Sequence, residues 1–162
     1  MVRVICGESN SGKTTFIKNV YDYLDSLKTK YTCEFKRFVD GSSDDIIAIF
    51  EIIDSKKKIA LSSGGDSSQI IESNLKKLEN ELTTDLKNSQ DNILWIIACK
   101  YGNRTEAAEM RKKKIDEAFG SKHGKIIMIR PPYIYEDKDE QNRIYLGLAE
   151  KMILDFEENK ND

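Results

Sequence analysis

The chain has 162 residues, 39% of them hydrophobic and 33% charged, with a net charge of −2. That length suits one ordinary domain with a sizeable core. The near-neutral charge argues against a nucleic-acid binder that works through bulk electrostatics, and no apolar run approaches a membrane span or the core of a signal peptide.

The elements follow in chain order. "VRVIC" (2–6) reads as a short apolar strand. Residues 13–28 carry Phe16, Ile17, Val20, Leu24 and Leu27 at helical spacing. "CEFKRFV" (33–39) reads as a second strand and "DDIIAIFEII" (44–53) as a helix, with a strand as the alternative for an apolar run of this length. "KIALSS" (58–63) is a third strand. A one-faced helix over 67–88 then sets Ile71, Leu75, Leu78, Leu82 and Leu86 in a stripe.

"NILWIIAC" (92–99) is the strongest strand, a continuous apolar run of the kind buried on both faces at the centre of a parallel sheet. A helix over 105–119, a fifth strand "KIIMIR" (125–130) and a last helix over 138–158 complete the series. The βα alternation predicts a single α/β domain over 1–158, a three-layer sandwich around a mostly parallel five-stranded sheet, with a polar tail at 159–162. Cys6, Cys33 and Cys99 each fall in a strand and show no metal-ligand spacing. They read as reduced core thiols of a cytoplasmic protein. The polar tracts lie where strands end, which is where ligands bind in such folds.

Gly7-Glu8-Ser9-Asn10-Ser11-Gly12-Lys13-Thr14 matches GxxxxGK[ST] between a strand and an amphipathic helix. Gly7 and Gly12 permit backbone angles closed to other residues, so that consecutive N–H groups can turn inward on phosphate oxygens. The helix N-terminus adds a positive field. Lys13 would reach the β- and γ-phosphates and Thr14 would ligate Mg²⁺, with Thr15 beside it. On this motif the chain resembles the P-loop NTPases. The resemblance implies that fold, nucleoside triphosphate as ligand and Mg²⁺ as cofactor.

The only match to a guanine-specifying Asn-Lys-x-Asp is the terminal Asn159-Lys160-Asn161-Asp162, which no strand positions. ATP is therefore the expected nucleotide. Many P-loop proteins place an Asp at the end of the strand beside the loop. Here Ser62 stands at that point in "IALSSGGD", and Asp66 lies four residues on. Either Asp66 reaches back through a Gly64-Gly65 turn, or Ser62 acts through a bound water, or Asp40 in "RFVDG" supplies the acid. A turn at "SGGD" and helix N-caps at Asp44, Asp66 or Ser67 are the structural alternatives. "FVDGSSDDI" and "IALSSGGDS" also resemble loops of P-loop small-molecule kinases such as the shikimate kinases, which implies a place for a phosphate acceptor. That family's acceptor-binding Arg is missing from the segment between them.

P-loop kinases carry arginines on a lid after the fourth strand. "CKYGNRTEAAEMRKKK" offers Lys100, Arg104 and Arg111 there, and Arg104 at a helix start is the candidate to stabilise a transferring phosphoryl group. Lys112, Lys113 and Lys114 read as solvated. After the fifth strand, Arg130, Tyr133 or Tyr135 is placed to stack on a base, unless Pro131-Pro132 only stiffens a turn. His123 lies in a turn away from these loops. Two functions follow. One is a Mg·ATP-dependent hydrolase or phosphotransferase, with Lys13, Asp66 and Arg104 catalytic and Thr14, Asp66 or Asp40 at the metal. The other is a silent nucleotide-binding module that acts through a protein partner.

Overall fold

The computed structural model describes residues 1–8, 10–39, 42, 44–88, 92–100, 106–119, 126–131 and 137–158, with 107 and 108 by backbone alone. The elements run β1 (Val2–Gly7), α1 (Lys13–Ser26), β2 (Tyr31–Phe38), β3 (Ile46–Ile52), β4 (Lys58–Ser62), α2 (Ser68–Glu81), α3 (Thr83–Asn88), β5 (Ile93–Lys100), α4 (Glu106–Phe119), β6 (Ile126–Ile129) and α5 (Lys138–Glu157). The strands form one six-stranded sheet in the order β2-β3-β4-β5-β1-β6. The pairs β4–β5, β5–β1 and β1–β6 are parallel. The pairs β2–β3 and β3–β4 are antiparallel.

The sixth strand is β3, so the helix expected over 44–53 is corrected to the strand that was its alternative. Its side chains alternate between two cores. Ile46, Ala48, Phe50 and Ile52 join one, and Ile47 and Ile49 join the other. Burial on both faces makes the run uniformly apolar, which hides the period of two. The helix expected over 67–88 is also corrected, since it divides after Glu81. Thr83 turns its hydroxyl back onto the carbonyls of Glu79 and Asn80, at 3.2 and 2.7 Å, a local bond that competes with a continuous helix.

Helices cover both faces. α1 and α5 close one core with Phe16, Ile17, Val20, Leu24, Tyr145, Ala149 and Phe156. α2 and α4 close the other with Ile71, Leu75, Leu78, Ile115 and Phe119. Tyr145 meets Phe16 edge-on at 5.3 Å, and Trp95 meets Phe119 at 5.0 Å. β5 lies between two parallel neighbours and is buried from Ile93 to Cys99, as expected of the central strand. Among the described residues no helix is long and apolar enough to cross a membrane.

Candidate functional site

Two neighbouring strands part company at one end of the sheet. β1 leads into α1 on one face, while β5 is followed in the chain by α4 on the other. The divergence opens a crevice at the carboxyl ends of these strands, the switch point at which open α/β sheets bind ligands. Gly7 and Lys100 are the last in-register pair of β1 and β5 at that end.

The loop from Gly7 to Gly12 enters this crevice. Gly7 keeps strand geometry, so the special backbone angles expected there are found instead at Asn10 (φ 60°) and Gly12 (φ 78°). Gly12 in the left-handed region turns the chain directly into α1, and its carbonyl accepts the first helical bond from Phe16 at 2.8 Å. Among the described residues no side chain caps the first turn of α1. By contrast, Ser67 accepts from the Ile70 amide to cap α2, and Asp137 accepts from the amides of Asp139 and Glu140 to cap α5. The leading N–H groups of α1 thus have no side-chain acceptor among the described residues.

Lys13 is the first residue of that helix and is only 6% exposed. Its ammonium folds back to donate to the Glu8 carbonyl at 2.5 Å and to Ser11 Oγ at 3.4 Å. Burial holds its pKa below the ordinary lysine value. Asp66 opposes that shift and Lys100 adds to it. A buried cation at the positive end of a helix is in an unfavourable field until an anion arrives.

A cleft of about 430 Å³ lies beside the loop. Asn10, Ser11, Gly12, Lys13, Thr14 and Thr15 form one wall, and Asp45, Ser63, Gly65 and Asp66 form the other. Asp45 is the residue that sequence reasoning missed. The Thr14 hydroxyl donates to Asp45 Oδ1 at 3.0 Å, and the Ser63 hydroxyl lies 3.2 Å from the same oxygen. Ser42 Oγ accepts from the Asp45 amide at 2.9 Å and so fixes the backbone that presents the carboxylate. Asp45 reaches the crevice because β3 is antiparallel and begins at this end of the sheet. The signal was present in "GSSDDIIAIFEII": acids directly ahead of a β-branched run mark the start of a strand.

Ser62, weighed as a stand-in for the missing acid, is buried and accepts a 3.4 Å hydrogen bond from Asn74 on α2, away from the cleft. Ser63 is the hydroxyl that faces it. Gly64 and Gly65 form no turn and run on beside β5. The Lys100 amide donates to the Gly65 carbonyl at 2.9 Å, and a Cβ at Gly65 would strike the Ala98 carbonyl. That course delivers Asp66 to the cleft wall, with Ser67 rather than Asp66 serving as the helix cap. Arg111, expected on a lid, is buried on α4 and donates from Nε to the Lys100 carbonyl at 2.6 Å and from Nη1 to the Asp66 carbonyl at 3.5 Å. It ties the ends of β4 and β5 together.

Arg130 is exposed just beyond β6 and does not line the cleft. Ser9, Asp40, Arg104, His123, Tyr133, Tyr135 and the tail 159–162 lie outside the described residues. Behind the loop, Cys6 and Cys99 face the same core in register, and burial is the first cause that pushes their thiols up to about 12 and about 11. Thiols so protonated are poor nucleophiles. Cys33 is half-buried, and all three are free.

The donors in the cleft are hard oxygens, from Thr14, Asp45, Ser63 and Asp66. That set suits Mg²⁺, which is commonly held by one or two protein ligands with substrate phosphates and water completing the shell. The described residues contain no cluster of three or more His, Cys, Asp or Glu side chains arranged to hold a metal alone. Comparison with protein-family models, with curated proteins and with solved structures finds no match to this chain.

Proposed function

We propose that the protein binds Mg·ATP at the Gly7–Thr14 loop and hydrolyses it or transfers its γ-phosphate to an acceptor. The observation that carries this reading is Lys13. It is buried at the uncapped start of α1 with, among the described residues, only a loop carbonyl and a hydroxyl for its ammonium. A phosphate chain laid over the loop would replace those acceptors with charged oxygens and meet the free N–H groups of the helix.

Thr14 and Asp45 would hold Mg²⁺, which when bound neutralises charge on the β- and γ-oxygens. Asp66, on the opposite wall from the loop, would accept a hydrogen bond from a water or an acceptor hydroxyl and orient it. Ser63 and Ser42 would keep Asp45 in place. Asp45 favours chemistry over silent binding, because it supplies a carboxylate that Ser62 cannot.

The test pairs calorimetric titration of ATP with a phosphate-release assay. Lys13→Ala is expected to abolish detectable ATP binding while leaving the circular dichroism spectrum unchanged. Unchanged affinity in that variant refutes the reading. Tight binding with no phosphate released, with or without candidate acceptors, leaves a nucleotide-binding module and removes the enzyme.

A further inference from the structure

Gly64, Gly65 and Asp66 lead from β4 toward α2, and each turns its carbonyl to a different element. The Gly64 carbonyl accepts from Asn74 Nδ2 of α2 at 3.3 Å, and the Gly65 carbonyl accepts from the Lys100 amide of β5 at 2.9 Å. The Asp66 carbonyl accepts from Arg111 Nη1 of α4 at 3.5 Å. The two glycines permit this close approach. A Cβ at Gly64 would lie 2.9 Å from Asn74 Nδ2, and one at Gly65 would strike the Ala98 carbonyl.

Asn74 is 1% exposed and Arg111 8%, and among the described residues they are the only polar side chains buried on α2 and α4. These helices otherwise meet the sheet with Ile71, Leu75, Leu78, Ile115 and Phe119. An amide and a guanidinium are costly to bury in such a layer unless they are hydrogen-bonded, and apolar side chains of similar size would serve the packing as well. Both direct donors at one short segment. Asn74 also reaches Ser62 Oγ at 3.4 Å, just ahead of it. Arg111 Nε also reaches the carbonyl of Lys100 at 2.6 Å, the residue whose amide holds Gly65. Neither Asn74 nor Arg111 lines the cleft, whereas Asp66 does. Beyond Asp66 the chain is fixed again by Ser67, the cap of α2.

We propose that Asn74 and Arg111 are positioning residues that act through Asp66. They clamp the backbone that presents its carboxylate to the cleft, and so set the rate of the step in which Asp66 orients a water or an acceptor hydroxyl. The inference rests on the reading of Asp66 above and extends it to two side chains that touch no ligand. The charge of Arg111 is directed at two main-chain carbonyls and not at a phosphate. Nucleotide affinity belongs to the loop and α1, so it does not depend on this clamp. Turnover does, because a displacement of about 1 Å in an orienting group lowers a rate by up to about a hundredfold.

The experiment measures kcat and KM for Mg·ATP by phosphate release, with and without candidate acceptors, and the dissociation constant of the nonhydrolysable analogue AMP-PNP. The proteins are the wild type, Arg111→Met, Arg111→Lys and Asn74→Leu, with rates taken per folded site as counted by AMP-PNP stoichiometry. Arg111→Met and Asn74→Leu are each expected to lower kcat about tenfold to a hundredfold, while KM and AMP-PNP affinity stay within about twofold. Arg111→Lys should recover part of the loss. In an Asp66→Asn background the same substitutions should lower kcat no further, because they act through that carboxylate. A lower melting temperature with unchanged kcat per folded site, or losses that add to that of Asp66→Asn, overturns the positioning role alone. A loss confined to Arg111 also overturns it, since a cation acting directly on phosphate would give that pattern and the neutral Asn74 would not. If Arg111→Met does not fold, Arg111→Lys and Asn74→Leu carry the same test. A wild type that binds AMP-PNP but releases no phosphate overturns the reading of Asp66 and this inference with it.

Discussion

Asp45 and Asp66 face one cleft from the same wall but are held differently, and the difference separates their roles. Asp45 is bonded to Thr14 and Ser63, with its backbone fixed by Ser42. Asp66 is exposed, its own carbonyl is the acceptor for Arg111, and its carboxylate acts on the charge of Lys13. Asp45→Asn keeps the shape and the hydrogen bonds while removing the charge. It is expected to weaken Mg²⁺-dependent enhancement of ATP affinity about tenfold to a hundredfold, the scale seen when a metal site loses a supporting group. Asp66→Asn is expected to lower turnover and leave that enhancement intact. Titrating Mg²⁺ against both variants decides, and the reverse pattern would move the metal to Asp66.

The element that most changes the reading of the chain is β3. As a helix over 44–53, it would carry its acids at a cap. As an antiparallel strand, it starts at the crevice and sets Asp45 on Thr14. Its commitment to the sheet can be measured. Phe50 is fully buried and meets the Tyr21 ring on α1 edge-on at 5.3 Å. Phe50→Ala should cost about 3–5 kcal/mol in urea unfolding, as for other large-to-small changes in a core. A cost below about 1 kcal/mol would mean that the strand packs otherwise. α2 shows the opposite case. Its period was plain in the sequence, yet Thr83 ended it early by bonding to the preceding turn.

At the scale of the whole molecule, the crevice is backed by apolar core rather than by reactive groups. Cys6 and Cys99, at the ends of the two strands that flank it, have thiols held at about 12 and about 11 against an ordinary 9.0. The folded state therefore keeps protons that the unfolded state releases. The stability this confers is complete below pH 9 and is lost as pH rises toward the folded values. Each thiol should contribute a fall of about 1.4 kcal/mol per pH unit above 9. Urea unfolding from pH 8 to 11 should show this decline, and a Cys6→Ala/Cys99→Ala double variant should flatten it. Identical slopes would show that other groups carry the alkaline transition.

The sequence by itself determined what is local. Gly12 and Lys13 mark the turn into α1, Phe16 to Leu24 mark its buried face, and "ILWIIAC" marks the central strand, because turn chemistry and helical period are properties of neighbours along the chain. Only the tertiary structure decided what meets across the sheet. Strand order and direction bring Asp45 to Thr14 from 31 positions away, place Ser63 rather than Ser62 at the cleft, and stand Lys100 beside Gly7. No periodicity encodes such pairings, since a strand buried on both faces reads the same in either direction.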